Sequence, residues 1–260
     1  MAVATKVILI IEYEGTRYHG FQLQARTPTI QRELERALGK LTGKKLRVVA
    51  ASRTDAGVHA SGQVVSLRTE SHLPLTTLTS GLNHYLPEDI AVRAAYRVND
   101  AFDVRRDAVS REYSYRILNS LTRSPILRKY SYRVRGELDL GAINRACKVL
   151  VGEHDFASFA SRMEVGRKST VRKVFQAGMK READLVTFTM VAKSFLPHQV
   201  RNTVGLLLRV GLGKMGISEV LGIMDARRPG LAGPAVPACG LCLVRVNYPV
   251  PCEEMSRENL

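Results

Sequence analysis

The sequence predicts a mixed α+β fold built from two halves that share the element order β-α-β-β-α-β. Alternating apolar segments indicate the strands, and leucine-rich segments of helical spacing bounded by capping residues indicate the helices. The same order recurs after residue 104. A chain of 260 residues with 45% hydrophobic residues is long enough for two modest domains with their own cores. We place these domains at residues 1–104 and 105–260.

The first half opens with a strand at residues 6–13. Thr27 and Pro28 predict a helix cap and a first-turn proline, and the leucines that follow recur at helical spacing until Gly43. The remaining elements are strands at 46–51, 63–68 and 90–98 and a helix that begins at Pro74. This order is that of a ferredoxin-like unit.

The second half repeats the order from residue 105 onward. Its elements are a strand at 110–119, a helix after Asp139, strands at 170–179 and 184–192, a helix from Pro197 and a strand at 239–248. Two ferredoxin-like halves favour a duplicated fold whose sheets join around a central basic cleft.

The charge of the chain indicates a polyanionic partner. It carries 39 Lys and Arg against 24 Asp and Glu, a formal net charge of +15. The apolar run Val7–Ile11 is too short for a signal or membrane segment, and no basic amphipathic helix indicates a membrane surface. Four cysteines form no disulfide framework. We therefore expect a cytoplasmic protein that binds nucleic acid and not membranes.

The segment Ala51–Gln63 lies between two predicted strands and concentrates chemical groups. One carboxylate, Asp55, is flanked by the guanidinium of Arg53 and the imidazole of His59, and Gly57 allows a turn that a Cβ would resist. Two interpretations stay open from composition: an Asx-type turn, in which Asp55 binds only nearby backbone, or a functional carboxylate.

Two short sequence motifs match known binding motifs, but the predicted elements around them do not fit those functions. The segment Gly211–Gly216 matches G-x-G-x-x-G, but it follows a predicted helix and is a helix end and turn rather than a dinucleotide site. Cys239 and Cys242 form a lone C-x-x-C without further zinc ligands or a following helix. We expect no metal site here.

Hydrolase and deaminase chemistry are also disfavoured. The residue types of a hydrolytic triad are present in Ser52, Asp55 and His59. These three residues lie in one short loop, and the loop has no nucleophile elbow. The deaminase signature H-x-E with P-C-x-x-C is missing. At the start of the last predicted helix, Arg201 follows inward-facing Val200, so it either pairs with a carboxylate or binds phosphate at the surface.

A series of motifs in order along nearly the whole chain resembles the tRNA pseudouridine synthase A family. Serine at position 52, where glycine is common in that family, is the main departure. The motifs are Ile11–Gly15, Ser52–His59, Gly62–Val65, Arg111–Tyr115, Gly152–Phe156, Phe195 with Val200–Asn202, and Gly240–Val244.

The resemblance implies the pseudouridine synthase fold and a cofactor-free, metal-free isomerase. Such an enzyme converts uridine to pseudouridine at nucleotides 38, 39 and 40 of the tRNA anticodon stem-loop, as a homodimer that binds tRNA across both subunits. By motif, Asp55 is the catalytic carboxylate, Tyr113 stacks on the target base and Arg201 pairs with Asp55. The implied RNA-binding residues are Arg53, which helps to extrude the base, and Thr54, Gly57, Val58, His59, Phe195, Gln199, Asn202 and Leu243.

Two alternatives remain at this point. A non-catalytic RNA-binding or RNA-chaperone protein could share the element order, because fold alone does not determine function. The predicted strands nevertheless lack the aromatic-rich pattern of RNA-recognition motifs. A hydrolase that uses Asp55 is less favoured, because no second acid or metal cluster accompanies it.

Overall fold

The computed structural model describes residues 4–161 and 169–255. The chain divides into two compact units, one formed by Met1–Arg111 with Leu243–Leu260 and the other by Glu112–Cys242. The first unit is therefore built from two separate segments of the chain. The assignment of residues 1–104 and 105–260 to two domains stays a prediction.

The mixed α+β fold class is confirmed, and both halves contain the predicted β-α-β-β-α-β series. The strands are β1 (Thr5–Tyr13), β2 (Val49–Ala50), β3 (His59–Thr69), β4 (Ile90–Val98), β5 (Ser110–Asn119), β6 (Tyr132–Val134), β7 (Gly152–Asp155), β8 (Val171–Glu182), β9 (Leu185–Ala192) and β10 (Leu241–Asn247). The helices are α1 (Ile30–Thr42), α2 (Leu75–Tyr85), α3 (Leu140–Leu150), α4 (Gln199–Gly211), α5 (Ile217–Ala226) and α6 (Cys252–Met255).

In the first unit, β1 lies between β3 and β4 and is antiparallel to both. The other edge of β3 is shared: β2 pairs with its central residues, and the part of β10 that begins at Leu243 lies beside its start. Leu9 and Ile11 of β1 are fully buried, α2 packs on β4, and α1 packs on α2. This sheet holds the Asp55 segment between β2 and β3.

In the second unit, the strand order is β5-β9-β8-β7, with β8 antiparallel to its two neighbours and β6 parallel to β5. Alternate residues of β9 are buried, including Phe188, and α3 packs on α4 through fully buried residues such as Ile143 and Leu207. Helix α4 carries Arg201 in its first turn.

Several predicted boundaries of the first unit were wrong. Only Val49–Ala50 of the predicted strand 46–51 pairs with β3, because α1 takes the hydrogen bonds of the preceding residue: Val48 N–H donates to Glu35 Oε1 (3.2 Å) and Gln31 Nε2 donates to the Val48 carbonyl (3.4 Å). The helix predicted from Pro28 begins at Ile30, capped by Thr29. Strand β3 begins at His59 instead of residue 63.

Differences in the second unit have local causes as well. Helix α4 begins two residues after Pro197, because His198 adopts a left-handed conformation with φ of 60°. Elements β6, β7 and α5 were not predicted. The expected helix end at Gly211–Gly216 is confirmed: α4 ends at Gly211, and Gly216 caps α5, with its N–H donating to Glu219 Oε2 at 2.8 Å.

Candidate active site

The loop that carries Asp55 is held at its base by a buried amide. Gln63 of β3 is fully buried; its Oε1 accepts from the Ser52 N–H (3.2 Å), and its Nε2 donates to the Ser52 carbonyl (2.7 Å). The preceding backbone is held by arginines: Arg105 Nε donates to the Ala50 carbonyl (2.8 Å) and Arg111 Nη2 to the Ala51 carbonyl (3.1 Å). The loop therefore starts from a fixed backbone.

A second loop, Gly15–Phe21, supports the Asp55 loop from behind. The Gly57 N–H donates to the Tyr18 carbonyl and the Phe21 N–H to the Thr54 carbonyl, both at 3.1 Å. A Cβ on Gly15 would lie 1.9 Å from the Val58 carbonyl oxygen, so this approach of two backbones requires glycine. The contact explains why a glycine-rich segment follows β1.

The turn at Asp55 is closed by the main chain. The Val58 N–H donates to the Asp55 carbonyl (3.2 Å), and Gly57 has φ of 76°, a left-handed conformation that suits glycine. An Asx turn would use the Gly57 N–H, which instead donates to Tyr18. The main chain thus closes this turn, and the Asp55 side chain is half-buried.

The neighbours of Asp55 divide into buried and exposed groups. Thr54 is buried and its hydroxyl lies 2.8 Å from the Tyr13 hydroxyl, while buried His59 accepts the Gly15 N–H on Nδ1 at 3.1 Å. Arg53 is exposed. Thr54 and His59, both predicted to bind RNA, therefore have contacts that hold the loop, whereas Arg53 faces solvent.

Tyr113 and Phe195 come together in the second unit. The Tyr113 ring is 5% exposed and meets Phe195 edge to face, with ring centroids 5.1 Å apart and an interplanar angle of 84°. Aromatic pairs favour this geometry. Phe195 lies in the segment between β9 and α4 and fixes the orientation of the tyrosine ring.

The first turn of α4 is tied to the segments around it. Arg201 is half-buried and its Nε donates to the Val236 carbonyl at 2.7 Å. Asn202 is buried and donates through Nδ2 to the Phe159 carbonyl at 2.7 Å. Gln199 is fully buried and accepts the Leu196 N–H at 2.8 Å. These contacts orient Arg201, and they give Gln199 and Asn202 structural roles.

The predicted site residues therefore fall into two groups. Arg53, Thr54, Asp55, Gly57, Val58 and His59 share one loop and the start of β3, and Leu243, fully buried in β10, belongs to the same unit. Tyr113, Phe195, Gln199, Arg201 and Asn202 belong to the second unit. The pairing of Asp55 with Arg201 stays a prediction.

Some residues that build the site had no predicted role. Gln63 and Arg111 lie at buried positions of apolar strands, where a long polar side chain needs several partners. Tyr115 is fully buried, and its hydroxyl donates to the Pro237 carbonyl at 2.7 Å; burial raises the pKa of this phenol. A polar residue at an inward position of an apolar strand was the available signal.

The described parts of the chain add two observations about other classes of protein. Across residues 4–161 and 169–255, no helix combines the length and apolar character that a membrane span requires. In the same ranges, His, Cys, Asp and Glu side chains do not form a cluster of three that could hold a metal ion.

Comparison with known proteins identifies the family. The family model for tRNA pseudouridine synthase matches residues 9–107 and 146–249, which include Asp55 and Arg201 but not Tyr113. The tRNA pseudouridine synthase A of Francisella tularensis subsp. novicida (strain U112) is 38% identical over 242 residues, 93% of this chain and 93% of that relative.

Proteins of the same name from two further bacteria are similar over almost their whole length. The one from Geotalea daltonii is 40% identical over 240 residues, 92% of this chain and 98% of the relative. The one from Citrifermentans bemidjiense is 40% identical over 246 residues, 94% and 98% of the two chains. The chain therefore belongs to the tRNA pseudouridine synthase family, a family of isomerases.

Proposed function

We propose that this isomerase converts uridine to pseudouridine at nucleotides 38, 39 and 40 in the anticodon stem-loop of tRNA, without a cofactor. The observation that carries the proposal is the Asp55 loop, which two sets of backbone contacts hold in place while the main chain closes its turn. The family supports an isomerase over a non-catalytic RNA-binding protein.

The reaction itself explains why no cofactor is needed. The C1′–N1 glycosidic bond breaks, the uracil turns while bound, and C5 forms the new bond to C1′. The proton leaves C5 and N1 gains one, so the product is an isomer of the substrate and no electrons are gained or lost. The enzyme must hold a detached base and stabilise charge at C1′.

Asp55 supplies the carboxylate for this chemistry. It acts by attack on C1′, by attack on C6, or by stabilising positive charge at C1′ while it removes a sugar proton. Each route needs an ionised carboxylate at a fixed place. The support from Gly57 and Tyr18 behind the loop meets that need, because the loop does not have to be ordered when substrate binds.

Tyr113 and Arg53 act on the target base: Arg53 helps to extrude it, and Tyr113 stacks on it. The target uridine must leave its stack to be reached, which costs a few kcal/mol. Exposed Arg53 offsets part of this cost by filling the space left by the base. The Tyr113 ring, steadied by Phe195, stacks on the uracil, and its hydroxyl moves the proton from C5. Arg201 pairs with Asp55 and keeps it charged.

The remaining predicted residues position these groups or meet the RNA. Lys and Arg side chains on a chain of net charge +15 bind the phosphates and read RNA shape more than sequence. Thr54, Gly57, Val58 and His59 shape the loop beside the extruded base, and Leu243 supports the same unit. Phe195, Gln199 and Asn202 belong to the second group, around Arg201. The enzyme works as a homodimer in the cytoplasm.

The test is to incubate the protein with unmodified tRNA and no added cofactor, and to map pseudouridine by nucleotide position. We expect product at 38, 39 and 40 from the wild type and none from Asp55→Asn, with tRNA binding retained by the variant. Asp100→Asn is the matched control, because Asp100 is an exposed carboxylate of the same unit. Product from Asp55→Asn at the wild-type rate would remove Asp55 from the chemistry.

The homodimer has a separate test. Light scattering on the purified protein, with and without tRNA, is expected to give twice the 28.8 kDa mass of one chain for the protein alone. A monomer at every concentration that supports activity would contradict this part of the proposal.

A further inference from the structure

A pocket of about 520 Å³ lies wholly within the second unit, beside α4. We call it the β6–α4 pocket. Its walls come from β6 and the residue after it, from one face of α4, and from the segment Pro234–Pro237. Lys214, which follows α4, completes the lining.

The charged residues of this lining all have the same sign. Arg133, Arg135, Arg209 and Lys214 line the pocket, and its lining includes no Asp or Glu. Four cations around one concave surface create a positive potential and repel each other unless an anion is present. The pocket is thus suited to a phosphate group.

Two of these arginines are held in place by one hydrogen bond each, which leaves further N–H groups of each guanidinium for a ligand. Arg209 donates through Nη2 to the Ala232 carbonyl (2.7 Å), and Arg133 donates through Nη1 to the Leu121 carbonyl (3.2 Å). The guanidinium group carries five N–H donors. The donors that these two contacts leave over are available to a phosphate oxygen.

The rest of the lining is apolar, which a bare phosphate would not need. Leu208 and Val236 are buried, and Leu212 and the ring of Tyr132 complete a surface that fits a ribose or the face of a base. We propose that the β6–α4 pocket binds one nucleotide of the tRNA, phosphate at the basic residues and sugar or base on the apolar surface. This proposal rests on the proposed function, which makes tRNA the substrate.

The nucleotide in this pocket is not the target uridine. Arg201 and Tyr113 are not among the lining residues. The pocket nevertheless shares a wall with the predicted catalytic machinery, because the Val236 carbonyl accepts from Arg201 Nε and the Pro237 carbonyl from the Tyr115 hydroxyl, both at 2.7 Å. A nucleotide bound here therefore contacts the same backbone that orients Arg201.

The first experiment measures tRNA binding by Arg135→Gln/Lys214→Gln at several salt concentrations. Both side chains are exposed, so the fold is expected to persist. Because the pocket holds a single phosphate, losing its contact should reduce the magnitude of the slope of log K against log salt by about 1. The dissociation constant should rise about tenfold at 0.15 M salt. Arg145→Gln/Lys148→Gln, an exposed pair on α3 with the same charge change, is the matched control.

Steady-state kinetics then distinguish an effect on tRNA binding, seen in KM, from an effect on the chemical step, seen in kcat. We expect the Arg135→Gln/Lys214→Gln variant to raise KM for tRNA and to leave kcat within twofold of the wild type. If this variant matches the control pair in both salt slope and KM, the proposal is overturned. If the wild type makes no pseudouridine, the proposed function fails, while the salt slope still tests the pocket.

Titration with uridine 5′-monophosphate tests whether the pocket binds a nucleotide of the tRNA or a free nucleotide. Calorimetric titration should show weak binding that Arg209→Gln abolishes, and the same substitution should weaken tRNA binding. Arg209→Lys, which keeps the charge and loses the planar fork, should restore tRNA affinity only in part. Binding of the free nucleotide together with unchanged tRNA affinity in Arg209→Gln would overturn the proposal in favour of a free-nucleotide site.

Discussion

The side-chain amide of Gln63 binds both backbone polar groups of Ser52, three residues before Asp55. In the Gln63→Leu variant, the Ser52 N–H and carbonyl lose these partners inside the protein. We expect the free energy of unfolding to fall by about 1–3 kcal/mol. We also expect pseudouridine formation to slow, because the base of the loop is released.

Urea unfolding followed by circular dichroism measures this effect, since the chain contains no Trp. Gln176→Leu on the exposed part of β8 is the control and should change stability by less than about 0.5 kcal/mol. Equal stability of the two variants would show that Gln63 does not hold the loop.

Gly15 and Gly39 are expected to respond in opposite directions to alanine. In Gly15→Ala the new Cβ would meet the Val58 carbonyl oxygen at 1.9 Å, so the two loops must separate. Overpacking of this kind costs about 1–3 kcal/mol, and activity should fall with it. In Gly39→Ala, on α1, the nearest atom is 3.8 Å away, and alanine should stabilise the helix by roughly 0.5–1 kcal/mol.

Thermal unfolding of both variants tests this pair, with the activity on tRNA measured in parallel. Gly39→Ala is expected to keep full activity, since Gly39 lies in α1 and not in the loops around Asp55. A melting temperature of Gly15→Ala equal to that of the wild type would contradict the close packing of the two loops.

Tyr115 makes stability depend on pH in the alkaline range. Burial raises the pKa of this phenol above its ordinary value of about 10, so the folded state favours the neutral form. The contribution of the neutral Tyr115 phenol to the stability of the folded state is therefore complete below pH 10 and is lost as the pH rises further. Tyr115→Phe should be less stable by about 0.5–1.5 kcal/mol at pH 7, from the lost hydrogen bond to Pro237, and should decline less steeply above pH 10.

Urea unfolding at pH 7, 9, 10 and 11 gives both quantities. Tyr85→Phe, at an exposed position on α2, should follow the wild-type curve at every pH. If the Tyr115→Phe curve has the wild-type slope above pH 10, the phenol does not carry the alkaline dependence.

Tyr113→Phe separates the ring of Tyr113 from its hydroxyl. The edge-to-face contact with Phe195 persists in the variant, so we expect unfolding within about 1 kcal/mol of the wild type. If the hydroxyl moves the C5 proton, kcat should fall by about 10²–10⁴-fold with KM nearly unchanged. Single-turnover assays on unmodified tRNA measure this. Full activity would restrict Tyr113 to stacking.

The element order was predictable because the apolar repeat and the capping residues of each element lie next to each other in the sequence. Asp139 caps the start of α3 and Gly43 caps the end of α1, as expected. Element α5 was missed, as its cap is a glycine whose role depends on Glu219. The Asp55 loop was recognised from its composition and family motifs. Its support by Gly15 and Gln63 was not, because contacts between residues distant in sequence leave no local pattern.

The two-segment construction of the first unit has a consequence for biosynthesis. Residues 243–247 of β10, which lie beside β3, are synthesised after the entire second unit. A nascent chain that ends before residue 243 leaves that part of β3 as an open edge, available for pairing with other chains. The unit that carries Asp55 is thus completed only near the end of translation, after the unit that carries Arg201.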